Sequence, residues 1–145
     1  VARKLQNLEA RAILAARQAL KLETEAEARV YRVHHLDRNG DYLFIEFGPA
    51  AGVVAVATVD VIGEVMGFTR LPGVGPHLGV TRARALEIAG ATEAKASQAQ
   101  LVWRPCRASQ SPMYPFWAVK VGGVIVYVDQ SGRVWLQLET GTQGG

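Results

Sequence analysis

Asp37, Asn39 and Asp41 stand at the one, three, five spacing with which calcium loops present oxygen ligands. The sixth position, which needs glycine for the sharp turn, is Tyr42, and the twelfth, which needs a bidentate carboxylate, is Gly48. Asn39-Gly40 between two alternating stretches is instead the signature of a β-hairpin turn, and it accounts for these residues without an ion. His34 and His35 are neighbours on a predicted strand, so their rings point to opposite faces and cannot chelate one ion. His77 falls in a turn, with no carboxylate or cysteine beside it in the sequence. Cys106 is the only cysteine, which excludes an internal disulfide and a cysteine-only metal cage. The chain carries no Gly-x-Ser-x-Gly elbow, Walker loop, His-Glu-x-x-His pair or Gly-x-Gly-x-x-Gly after a strand. The expectation is no catalytic residue, no metal ligand, no cofactor and no enzymatic activity.

The chemistry left to the side chains is recognition. Trp103, Tyr114, Phe116, Trp117 and Trp135 gather most of the large aromatic residues in the second half, and they are the candidate residues for binding a protein or peptide partner. Trp135 alternates with charged positions, as a side chain turned away from a helix-covered face does. A rival reading uses Leu71-Pro-Gly-Val-Gly75 followed by Arg82 and Arg84. Helix-hairpin-helix proteins bring the amides of such a hairpin to a DNA phosphate, with basic residues beside it. Against it, Pro76 to Thr81 delays the second helix, which should begin almost at once. A third reading is a structural or sensory assembly module.

The elements that must position these groups follow from periodicity. Leu5, Leu8, Ala12, Ala15, Ala19 and Leu22 recur at steps of three and four, which predicts a helix over 1–22. Alternation then predicts strands at 30–36, 42–47, 53–60 and 64–71, separated by the Asn39-Gly40 turn, Gly48-Pro-Ala-Ala-Gly52 and Gly63. Leu71 to His77, with two prolines and two glycines, continues neither a helix nor a central strand and marks a boundary. Thr81 is the predicted N-cap of a helix to about Ala91. Further strands are expected at 101–104, 114–121, 124–129 and 133–139, with Val134, Leu136 and Leu138 on one face of the last.

The chain has 145 residues, 49% of them hydrophobic, enough for a shared core between two small halves. Sixteen basic against 13 acidic residues give a formal charge of +3, spread along the sequence, which is weak support for a polyanionic partner. No apolar stretch of about 20 residues is present to span a bilayer as a helix.

Two heptapeptides, Val59 to Val65 and Val128 to Val134, both read Val-Asp-x-x-Gly-x-Val, 69 residues apart. Each closes a helix-then-strands stretch, so Asp60 and Asp129 are expected to perform the same turn duty. The second stretch, with Leu101-Val-Trp-Arg-Pro105, Tyr114-Pro-Phe-Trp-Ala-Val-Lys-Val121, the Gly122-Gly123 turn and Val126-Tyr-Val-Asp-Gln-Ser-Gly-Arg-Val-Trp135, resembles a PepSY domain over Thr81 to Leu138. Leu5 to Leu71 resembles a more divergent copy. A looser similarity, at Val53-Val-Ala-Val-Ala57, is to cystatins, which also lay a sheet across one long helix. The resemblance implies an α+β fold of two repeated modules, residues 1–72 and 73–145, each one helix on a four-stranded antiparallel sheet. It further implies an extracytoplasmic bacterial protein, secreted, periplasmic or anchored by a segment upstream of Val1. Such a protein binds a polypeptide and inhibits or regulates a peptidase.

Overall fold

Helical periodicity at the start of the chain becomes α1 (Ala2–Leu20) in the computed structural model, which describes residues 2–22, 27–38, 40–50, 53–72, 76–90 and 99–139. Ala12, Ala16 and Leu20, four residues apart, are its buried stripe. The expected stripe through Ala15 and Ala19 lies one residue aside, and both are only half-buried. With alanine at 12, 15, 16 and 19, both rows suit a sheet, and the sequence pattern alone does not choose between them. The helix stops in a Schellman motif. Leu22 N–H donates to the Arg17 carbonyl at 3.0 Å and Lys21 N–H to the Gln18 carbonyl at 3.2 Å. Lys21 takes the left-handed conformation at φ +55° that glycine usually fills there. The Arg70 guanidinium donates to the Leu20 carbonyl, satisfying another terminal acceptor.

Four strands follow: β1 (Ala28–His35), β2 (Asp41–Ala50), β3 (Val53–Asp60) and β4 (Val65–Pro72). The β2 and β3 side chains facing α1 pair large with small, Phe47 opposite Ala55 and Ile45 opposite Ala57. This leaves room for a helix whose own contact residues are mostly alanine, so volume is conserved across the layer. The other side of β2 is buried as well. There the Phe44 ring stacks on His77 at 5.4 Å and meets Tyr31 at 6.1 Å.

The second helix, α2 (Arg82–Ile88), starts at the expected cap, where the Thr81 hydroxyl accepts from Arg84 N–H at 3.1 Å. It ends at Ala89, before Gly90 at φ +77°, rather than continuing to Ala91. It packs on β5 (Ala99–Trp103) and β6 (Phe116–Val121), and β7 (Val124–Val128) and β8 (Val134–Trp135) complete the strands. Gly122 and Gly123, both at positive φ, form the two-residue turn between β6 and β7.

The expected architecture needs correction. The chain does not form two repeated modules, each with a helix on its own four-stranded antiparallel sheet. The eight strands among the described residues make one mixed sheet in the order β4-β3-β2-β1-β5-β6-β7-β8, because β1 pairs in parallel with β5 at His34↔Val102 and His35↔Trp103. The helices are also unequal, 19 residues against 7. Alternation reveals a strand but not its neighbour, and parallel pairing over this sequence separation leaves no local mark. Two compact units divide the chain, one of Val1–Arg32 and Gly40–His77, the other of Val33–Asn39 and Leu78–Gly145.

Replacing Lys21 with glycine removes a left-handed penalty of about 1 kcal/mol and leaves both Schellman hydrogen bonds in place. The expected outcome is a rise of that size in unfolding free energy in a urea titration; an unchanged or lower value would contradict the cap geometry.

Candidate functional site

The repeated heptapeptides fold alike. In the first unit, one Asp60 carboxylate oxygen accepts from Ile62 N–H at 3.0 Å and Glu64 N–H at 2.9 Å. In the second, the corresponding Asp129 oxygen accepts from Ser131 and Arg133 N–H, both at 2.9 Å. Both aspartates also donate their own N–H to the residue four places on, and Gly63 and Gly132, at φ +93° and +90°, supply the left-handed step.

The second turn is tied further into its unit. The Trp135 indole N–H donates to the other Asp129 carboxylate oxygen at 2.9 Å, and the Arg133 guanidinium lies over the Trp135 ring at 5.3 Å. Gln130 accepts from Val80 N–H at 3.1 Å and donates to the Pro115 carbonyl at 2.9 Å, fastening the turn to the entry of α2 and to the start of β6. Gly79 passes so close that a Cβ there would lie 2.5 Å from the Gln130 carbonyl oxygen, which excludes any side chain without backbone movement. At the matching positions of the first turn, Val61 and Ile62 are exposed, Ile62 to 67%.

Facing this turn is the loop between β5 and β6. Cys106 and Ser109 pair across it, and the Ser109 hydroxyl accepts from the Trp103 indole at 3.2 Å while lying within hydrogen-bonding distance of the Ser111 and Tyr114 carbonyls. Between the loop and the turn runs a cleft of about 410 Å³ lined by Ser109, Gln110, Tyr114, Asp129 and Ser131. Its polar lining is largely committed to internal hydrogen bonds, including that of the Ser131 hydroxyl to Asp129 at 2.6 Å. On the far side of Ala108 a second cleft of about 520 Å³ has Val134, Trp135 and Leu136 along one wall and Arg107 and Glu139 at its rim. Both volumes fall within the range of about 300 to 1,000 Å³ of ordinary ligand sites.

The second cleft exists because β8 is short. A strand over 133–139 with Val134, Leu136 and Leu138 on one face was expected. The ladder stops after Tyr127↔Trp135 and Val128↔Val134, Leu136 swings out to 72% exposure, and Leu138 is buried. Beyond it, Arg107 N–H donates to the Glu139 carbonyl at 3.2 Å, so the chain rejoins the loop and leaves a slot.

Of the five aromatic candidates, Trp103, Phe116 and Trp117 are buried. The Trp117 indole donates to the Val80 carbonyl at 2.7 Å beneath Arg82, and Trp103 meets the edge of His35 at 5.4 Å. Tyr114, 46% exposed, and Trp135, half-buried, line the two clefts. Sequence reasoning missed Gln130, Gly79 and Arg133, which hold the turn and cover the indole. The available signal was the contrast between Val61-Ile62 and Gln130-Ser131 inside otherwise matching heptapeptides.

The other singled-out groups are engaged in folding. Asp37 pairs with Arg104 at 2.8 Å and Asp41 with Arg32 at 2.6 Å, while Asn39 lies outside the described residues. The His35 ring accepts from Asp37 N–H, and burial with nearby Arg38 lowers its pKa. His77 N–H donates to the buried Glu46 at 2.9 Å. Among the described residues, no three His, Cys, Asp or Glu side chains group as a metal site, and no helix is long and apolar enough to cross a membrane. Gly73, Val74 and Gly75 of the hairpin-like DNA motif also lie outside the described residues. Arg84 pairs with Glu87 at 2.8 Å.

No family model, curated protein or solved structure matches the chain.

Burial acts to raise the Asp129 pKa, but hydrogen bonds from Ser131, Trp135 and Arg133 outweigh it and hold the carboxyl below its ordinary value. A depressed folded pKa contributes stability that is complete above the unfolded value of about 4 and is lost as pH falls through the folded value. Asp129→Asn is expected to cost about 2 kcal/mol at pH 7, with the difference from wild type shrinking below pH 4. Urea titrations at several pH values check this; a difference independent of pH would rule out the charged carboxylate as the source. Asp129→Ala should also shift tryptophan emission, whereas Asp60→Ala should not, since only Asp129 holds an indole.

Proposed function

We propose that this chain is a non-enzymatic, extracytoplasmic, PepSY-like protein that binds another polypeptide and thereby restrains or regulates a peptidase. The observation that carries the reading is the slot beside β8. β8, at the end of the sheet order, carries a fixed tryptophan and is followed at once by the exposed Leu136, and both line a cleft of about 520 Å³ on a strand with no further neighbour among the described strands. Open strand edges bind extended chains through backbone hydrogen bonds, and alternate side chains of the guest supply specificity. Trp135 suits the anchor role. Its ring is locked by Asp129 and Arg133 before any partner arrives, so little side-chain entropy is lost on binding. The peptidase half of the proposal rests on the resemblance of Thr81 to Leu138 to domains allied to peptidase propeptides.

Binding to extended polypeptides should shift the emission of wild-type protein, and Trp135→Ala should weaken affinity by roughly 30-fold, the loss typical of a buried tryptophan anchor. Titration of inhibition against a panel of secreted metallo- and cysteine peptidases checks the finer claim. Polypeptide binding without effect on any peptidase would remove regulation and leave an assembly or sensory module. No binding to any polypeptide would remove the slot as a site.

A further inference from the structure

The charge excess of the chain belongs to one unit. Val1–Arg32 with Gly40–His77 holds eight basic and eight acidic residues, whereas Val33–Asn39 with Leu78–Gly145 holds eight and five. Within that second unit, Asp37 neutralises Arg104, Glu87 neutralises Arg84, and Arg82 lies over the buried Trp117. Arg133 is the one beside the slot. It is exposed, its guanidinium carbon lies 5.3 Å from the centre of the Trp135 ring, and it makes no ion pair among the described residues. Its backbone N–H already serves the Asp129 turn, so the guanidinium is not needed to fold the hairpin. An arginine held over an indole face by cation-π attraction retains its planar fork of donors, which receives a carboxylate in two parallel hydrogen bonds. The matching position of the first turn is Glu64, of opposite sign.

We propose that the slot beside β8 takes an extended acidic segment of a partner polypeptide, with an apolar side chain against Trp135 and Leu136 and a neighbouring aspartate or glutamate side chain on Arg133. The inference rests on the polypeptide-binding reading and adds the sign and placement of charge in the partner. Arg107 and Glu139, which both line the slot, offset each other in charge, so the preference for a carboxylate is set beside Trp135 by Arg133. A nucleic acid fits less well, because it requires a track of several cations to release counterions, and here Arg133 and Arg107 flank an apolar wall of Val134 and Leu136 with Glu139 beside it.

The test uses eight-residue peptides with both ends blocked, alternating valine with glutamate, glutamine or lysine, titrated against wild-type protein and the variants Arg133→Glu, Arg133→Lys and Trp135→Phe. The glutamate peptide is expected to bind at least tenfold more tightly than the lysine peptide. Arg133→Glu should reverse that order, and Arg133→Lys should keep its direction with reduced magnitude. Circular dichroism checks that the exposed substitutions leave the fold intact. Equal affinity for all three peptides would overturn the charge assignment while leaving polypeptide binding in place. No peptide-induced change in emission that disappears in Trp135→Phe would overturn the slot itself. Tighter binding of a single-stranded oligonucleotide, dependent on Arg133, would overturn the acidic peptide in favour of nucleic acid.

Discussion

One carboxylate oxygen holding two backbone amides is the constraint on which the rest of the candidate site depends. Asp129 closes its turn with the Ser131 and Arg133 amides, which fixes Gly132 in a left-handed step and aims the following strand back along β7. Its second oxygen then reaches beyond the turn and takes the indole of Trp135. Backbone closure and side-chain orientation are thus coupled through a single residue. Once that indole is pinned, Arg133 has a surface to lie on, and the cleft has a rigid wall.

Comparison of the two turns separates what folding requires from what it leaves open. Both keep aspartate first and glycine fourth, with the same hydrogen bonds, so those residues are explained by backbone geometry alone. The middle pair is not needed for those hydrogen bonds and differs in chemistry between the two turns. Val61 and Ile62 leave apolar surface in water, whereas Gln130 is bonded to Val80 and Pro115. The fifth position, Glu64 against Arg133, differs in sign. Gln130 has taken a packing role, whereas the fifth side chain, which neither turn uses for its own closure, is where individual function can be written.

Local features were the legible ones. The Asp-Gly turns, the Thr81 cap, the Gly122-Gly123 hairpin and the first helix each depend on residues within a few places of one another, and each occurs where the pattern put it. The parallel pairing of β1 with β5 was not legible, since nothing in His34-His35 names Val102-Trp103 as neighbours. Nor was the choice among aromatic residues. Leu101, Val102 and Trp103 are buried in succession, as are Phe116 and Trp117, so alternation gives no inward and outward set there. The early end of β8 escaped for a related reason: Leu136 and Leu138 fit the alternation, but the ladder that would have used it stops at Trp135.

The shortness of β8 has a mechanical consequence. It is joined to β7 at Tyr127↔Trp135 and Val128↔Val134, whereas β3 is laced to β4 along nearly its whole length. Tension on the chain past Glu139 reaches the Arg107 amide first and the two β8 pairs next, peeling them in turn rather than shearing them together. The wall carrying Trp135 is therefore fastened to β7 by two residue pairs, against the five that join β6 to β7, and a pull from Glu139 loads those two one after the other.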